Sequence, residues 1–277
     1  MTSKVALFAN VRDEKHIKEW AAHHLLIGFD IIVLFDHKSK TPLQTVFAKF
    51  DKRVIILNVS HLNNGIKMPL MNNAAKIAKR LNIDWMIYLD ADEFLILHDK
   101  FRGVKHFLTQ YPHAHSLGVN WLMFGSNYLT KEPKGLILEN YTKSNTKLDK
   151  HVKSFVRPRE IVDSTNPHFY NIRNKWRMYG INNAIIGNFP QFNVVNLSYD
   201  NTPAYIAHYV YQSEETYTNR KLLLPRDDNG IKRPAEDVKK IHNQFNDCEN
   251  LKPTTKYRDN IKQFLLFYTG GLPPPEG

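Results

Sequence analysis

"WMIYLDADEF", residues 85–94, sets three carboxylates, Asp90, Asp92 and Glu93, directly behind an apolar run that reads as a buried strand. An ionised carboxylate at a buried strand end is costly unless it meets a cation or hydrogen-bond donors. Two readings are open: a turn in which Asp satisfies backbone amides, or a metal site. On an extended segment residues two apart point to one side, so Asp90 and Asp92 are placed to share a cation. Hard carboxylate oxygens suit Mg²⁺ or Mn²⁺, which usually complete their shell with phosphate oxygens.

The flanking sequence alternates strand and helix patterns. "KVALFAN" (4–10), "DIIVLFD" (30–36) and "RVIILNV" (53–59) read as strands. Ile17, Trp20, Ala21, His24 and Leu25 recur at helical spacing up to Gly28, which fits a C-terminal cap. Pro42 opens a short helix, and residues 68–81 read as another, with Met71, Ala74, Ala75 and Ala78 on one side. Near-continuous apolar strands separated by helices predict a mostly parallel α/β sheet covered on both faces. Ligands bind such sheets outside the carboxyl ends of the strands, where Asn10 to Glu14, Asp36 and Asp90 to Glu93 all fall.

Beyond residue 100 the rhythm changes to short strands at 115–126, 153–158 and 167–172, then helical patterns at 213–224, 236–246 and 255–268. No repeat or linker forces a boundary, so one domain over 1–277 is expected, an α/β half (1–100) followed by a half of mixed rhythm (101–277). The 38 Lys and Arg against 27 Asp and Glu give a net charge of +11, which favours acidic partners. Cys248 is the only cysteine, which excludes internal disulfides and a Cys-rich zinc site. No apolar stretch approaches the roughly 20 residues needed to span a bilayer, and the start of the chain does not read as a signal peptide. A cytoplasmic protein, resting at most on a membrane surface, is the expectation.

The pairing of an α/β half with Asp-Ala-Asp resembles the Asp-x-Asp motif of GT-A fold glycosyltransferases. "ANVRDEKHIKEWAAHHLLIGFDIIVLFDHKS", "WMIYLDADEFL", "VNWLMFGS", "HVKSFVRP", "PHFY" and "AHYVYQSEETYTNRK" follow the order and spacing of family-2-like and family-92-like members, over residues 4 to about 228. The resemblance implies a UDP-sugar donor, Mn²⁺ or Mg²⁺, and a glycan, glycoprotein or glycolipid acceptor. It places Ala9, Val11 and Glu14 beside the nucleoside and Asp36 on the uracil or ribose. Lys67 and Asn72 would lie near the donor, and Lys221 and Lys153 would face the diphosphate. Asp92 would bind the metal directly, Asp90 would contact ribose or a metal-bound water, and His208 would be the third protein ligand. Trp121 and Phe124 would wall the acceptor site, although an apolar pair three apart is equally a core pattern.

Inverting transfer needs a base for the acceptor hydroxyl, on the face opposite the leaving diphosphate. Asp227, Asp228, Glu214, Glu215 and Asp163 are candidates, with Asp227 first because it follows the region that would close over the donor. Two rival classes remain at this level. A nucleic-acid-binding protein would suit the +11 charge but leaves the clustered acids unexplained. A sugar nucleotidyltransferase would use metal and acids, but "ANVRDE" lacks the Gly-rich loop usual after its first strand.

Overall fold

Val5–Val11 (β1) is buried along its whole length because alternate residues serve two cores. Val5, Leu7, Ala9 and Val11 pack with Trp20 and Ala21, whereas Ala6 and Phe8 pack with Leu70, Met71, Ala74 and Ala75. A strand clad on both faces has no place for the polar alternation of a half-exposed one, which is why its sequence reads as an unbroken apolar run.

The computed structural model describes residues 3–234 and 241–268. In it β1 lies between two parallel neighbours, Ile31–Asp36 (β2) and Trp85–Tyr88 (β4), and Val54–Asn58 (β3) extends the sheet beyond β2. Ile17–Leu26 (α1) covers one face. Its end is fixed by Gly28 at φ 101°, where the Gly28 and Phe29 amides donate to the Leu25 and His24 carbonyls. Leu43–Val46 (α2) is a single turn after Pro42. Lys67–Arg80 (α3) covers the other face with Met71, Ala74, Ala75 and Ala78 buried, and Pro69 sits in its first turn, where no intrahelical bond is lost.

The second half continues the same sheet. Glu93–Leu97 (β5), Val104–Leu108 (α4), Ser116–Met123 (β6), Ile137–Asn140 (α5), Lys143–Ser144 (β7) and Val152–Val156 (β8) follow in order. Ile161–Asn166 (β9), Phe169–Ile172 (β10), Met178–Gly180 (β11), Ala204–His208 (β12), Glu214–Tyr217 (α6) and Cys248–Glu249 (β13) complete the series before the C-terminal helix Lys252–Tyr268. The strand order is β3-β2-β1-β4-β8-β6-β12-β5, with β11 beside β6. β8 runs antiparallel between β4 and β6, and β5 runs antiparallel to β12, so the sheet is mixed beyond β4. The C-terminal helix packs Tyr257, Ile261 and Phe264 into the α1-side core.

Two sequence expectations change. The apolar run at 85–90 is strand only to Tyr88, and Asp90–Asp92 is a turn closed by the Glu93 amide donating to the Asp90 carbonyl at 3.0 Å. The extended geometry that would point both aspartates one way is therefore absent. The pattern at 213–224 is not one α-helix: α6 widens into a π-helical turn, Thr218–Leu222. Of the pattern at 236–246, residues 236–240 lie outside the described residues, as does the terminal "GGLPPPEG". Among the described residues no helix is long and apolar enough to cross a membrane.

Candidate active site

The ends of β1, β4 and β12 converge on one cleft of about 230 Å³, closed on its far side by the chain from Arg220 to Arg233. It is lined by seven lysines and arginines against five aspartates and glutamates, so the question raised by Asp90 and Asp92 is answered by cations of the protein itself.

Asp90 sits between two lysines. Lys67, the first residue of α3, donates to Oδ1, and Lys153 of β8 donates to Oδ2 at 3.2 Å. Asp92, almost fully buried, accepts from Lys221 at 2.6 Å and lies 3.9 Å from Arg220, which also pairs with buried Glu14. Burial works against the Asp92 carboxylate, yet the Lys221 and Arg220 cations outweigh it and hold its pKa well below the usual carboxylate range. Burial, reinforced by Lys153, pushes Lys67 down to about 7. Burial also pushes Glu93 up to about 7, and this third carboxylate of the opening stretch accepts from the Asp90 amide at 2.8 Å as an internal brace. The π turn carries both consecutive residues, Arg220 and Lys221, to Asp92; π turns recur at functional sites.

The cleft gathers Val11, Glu14, Lys67, Asp90, Asp92 and Trp121 of the expected residues, together with Lys153, His208, Lys221, Asp227 and Asp228. Others lie elsewhere. Ala9 is interior sheet, and Phe124 is fully buried against Tyr209 at 4.5 Å. The Asp36 carboxylate accepts from the Leu43 and Ser39 amides and braces the turn into α2. Asn72 exchanges two hydrogen bonds with the Ser164 backbone, tying α3 to β9. Asp163 accepts from Asn171 within the β9–β10 ribbon. Glu214 and Glu215 start α6; the Glu214 amide meets the Leu129 carbonyl, and the Glu215 carboxylate accepts from the Glu132 amide.

Of the two remaining acids, Asp228 is held by Arg226 through two hydrogen bonds, whereas Asp227 accepts from Asn10 at 2.6 Å. Asn10 and Arg12, read only as part of the strand-end stretch Asn10 to Glu14, line the cleft as well, and His168 in "PHFY" and Arg220 beside Lys221 line it although the sequence reading did not single them out. Trp121 is half-buried, with the rings of His208, His168 and His151 at 4.5, 5.0 and 5.5 Å and Lys153 Nζ 6.0 Å from the centre of its ring.

The donors for a metal fit only in part. Among the described residues no group of three His, Cys, Asp or Glu is placed to hold one ion, and Asp90 is occupied by its lysines. Asp92 Oδ1, however, is buried without a hydrogen-bond partner and lies 3.8 Å from His208 Nε2. Two ligands each about 2.1 Å from an ion stand up to about 4.2 Å apart, so this pair can share one cation, its other ligands coming from phosphate or water. Burial drives His208 down to about 3, keeping the ring neutral and able to coordinate.

The profile of glycosyltransferase family 92 matches residues 7–263, nearly the whole chain. The chain belongs to that family. No curated protein matches it by sequence. Similar solved structures include S. aureus TarS in complex with UDP-GlcNAc, 13% identical over 56% of this chain and 45% of that one, with a TM-score of 0.39. HddC from Yersinia pseudotuberculosis is 11% identical over 67% of this chain and 94% of its own, with a TM-score of 0.37. The match thus spans less than half of the TarS chain.

Proposed function

We propose that the enzyme moves a sugar from a nucleotide-sugar donor, of the UDP class, to a hydroxyl of a glycan or glycoconjugate, with inversion. The observation that carries this reading is the double ion-pair network, Lys67–Asp90–Lys153 beside Lys221–Asp92–Arg220. Cations tethered by carboxylates inside a cleft are ready to transfer their interactions to a diphosphate, and they sit where charge grows as the diphosphate leaves. A purely phosphate-binding face of a nucleic-acid protein would gain nothing from the five acids in the lining.

In this reading Lys221 and Arg220 bind the diphosphate, and Lys67 and Lys153 orient its sugar-side oxygens. Asp92 and His208 would hold Mn²⁺ or Mg²⁺, which when bound supplies Lewis-acid neutralisation of the leaving group. Val11 and Asn10, at the end of β1, border the nucleoside. The half-exposed face of Trp121 offers the acceptor sugar an apolar platform. Asp227 takes the proton of the acceptor hydroxyl; among the described residues it lines the cleft without a lysine or arginine at ion-pair distance, unlike Asp228.

Thermal melting tests the donor and metal assignments together. UDP and Mn²⁺ added jointly are expected to raise Tm more than the sum of their separate shifts, because each completes the other's site. Strictly additive shifts would count against a shared site. Product analysis with UDP-sugars and GDP-sugars distinguishes glycosyl transfer from nucleotidyl transfer.

A further inference from the structure

The stretch from Arg173 to Phe189 forms a small lobe beside the cleft whose outer surface the proposed reaction does not use. Its two sides are laid together by backbone pairing: the Ile186 amide donates to the Met178 carbonyl at 2.9 Å, and Tyr179 bridges to Ile185. Gly187 lies so close that a Cβ there would stand 2.1 Å from the Lys175 carbonyl oxygen, and Lys175 Nζ reaches Asn188 at 3.4 Å. This packing puts Trp176, Ile185 and Phe189 on one lobe, where they are 56%, 53% and 68% exposed.

Three large apolar side chains this exposed within one short stretch would gain free energy against an apolar partner. Here they are interleaved with Arg173, Lys175 and Arg177, and Lys175 Nζ lies 5.1 Å from the centre of the Trp176 ring. No acidic residue stands between Asp163 and Asp200. Glu160, whose carbonyl accepts from the Arg173 amide, has its carboxylate 3.5 Å from His115.

We propose that this lobe docks the enzyme on an anionic lipid bilayer, with Trp176, Ile185 and Phe189 entering the headgroup boundary and the basic residues at phosphate level. Exposed Trp and Phe beside lysine and arginine, with no acids, is the composition that an interfacial contact requires. A second copy of this chain is the poorer occupant, since two such lobes would oppose like charges. A polynucleotide would answer the charge but leave Ile185 and Phe189 in water. The lobe runs straight into the acceptor wall: the Gln191 carbonyl accepts from the Val152 amide, and the Phe192 ring lies 4.9 Å from His151, next to Trp121. If the acceptor side is as proposed above, docking holds it at the membrane surface; the docking itself does not rest on that reading.

Co-sedimentation of the full chain with phosphatidylcholine vesicles, with and without phosphatidylserine, tests the proposal. Binding is expected only with phosphatidylserine and should weaken as salt is raised. Trp176→Ala with Phe189→Ala should weaken it about tenfold or more, since two apolar anchors are lost. Arg173→Glu with Lys175→Glu should abolish the preference for anionic lipid, an independent readout should the first variant fold poorly. The proposal is overturned if the wild type stays in the supernatant or binds both vesicles equally. It also fails if the charge-reversed variant binds as wild type, or if the chain binds an oligonucleotide but no vesicle. Joint stabilisation by UDP and Mn²⁺ in the same preparation reports on the cleft separately.

Discussion

Lys221 donates to Asp92 at 2.6 Å although 129 positions separate them in sequence, and the opposite oxygen of the same carboxylate faces His208 without a hydrogen bond. One carboxylate thus restrains a cation of the protein on one side and leaves a coordinating position on the other. Asp92→Asn removes both. The variant is expected to lose the coupling between UDP and Mn²⁺ in thermal melts.

His208→Ala should lose metal dependence while keeping part of the UDP binding that Lys221 and Arg220 provide. Calorimetric titration of Mn²⁺ into each variant, with UDP present, checks the pair. A folded His208→Ala protein with unchanged Mn²⁺ affinity would remove His208 from the metal site.

Trp121 and Phe124, treated alike on sequence, have separate fates. Phe124 is fully buried against Tyr209, so Phe124→Ala is expected to cost about 3 to 5 kcal/mol of stability. Trp121 is half-buried and lines the cleft. Losing an aromatic face of about 1 kcal/mol should raise the acceptor KM roughly fivefold with little change in donor binding. Chemical denaturation and steady-state kinetics on the two variants separate the roles.

What was legible in the sequence was local. β1, β2 and α3 follow from apolar period and run length, and the end of α1 from Gly28. The order of β8, β6 and β12 was not legible, because strand pairing across the second half depends on non-local contacts that no window of sequence contains. The same limit applies to side chains. Asp36 stands at a strand end as a ligand would, yet its oxygens go to the Leu43 and Ser39 amides. Arg220 escaped because its partners, Glu14 and Asp92, are far from it in sequence, and no window of sequence contains those contacts.

Burial of His23 supplies a pH dependence away from the cleft. Its Nε2 lies 2.9 Å from the Leu95 carbonyl, among the rings of Phe94 and Tyr257, and burial pushes its pKa down to about 4. The unfolded chain, with a pKa near 6.5, then binds more protons between these values, so stability falls as pH drops from about 6.5 towards 4. The contribution amounts to about 2 kcal/mol between pH 7 and pH 5. His23→Gln keeps a donor for Leu95 but cannot titrate, and its unfolding free energy should fall less over that range. Parallel slopes for the two proteins would show that His23 is not the group responsible.

The catalytic base can be separated from the donor site by the place of Asp227. Asn10 Nδ2 donates to its Oδ2 at 2.6 Å, and the Asn10 side-chain oxygen Oδ1 in turn accepts from the Tyr88 hydroxyl, so the carboxylate is oriented from the end of β1. A base acts on the acceptor and has no part in seating UDP. Asp227→Asn should therefore leave UDP and Mn²⁺ affinity nearly unchanged while lowering kcat by about 10² to 10⁴-fold. Because Asn10 also borders the end of β1 where the nucleoside is proposed to lie, the opposite outcome is equally readable. A large rise in the Kd for UDP with kcat kept would make Asp227 a nucleoside contact. The base would then pass to Asp228, the other expected acid lining the cleft, which must first be released from Arg226. If Asp228→Asn also retains kcat, no candidate carboxylate in the cleft serves as base, and the anomeric configuration of the product, read by NMR, should be retained instead of inverted.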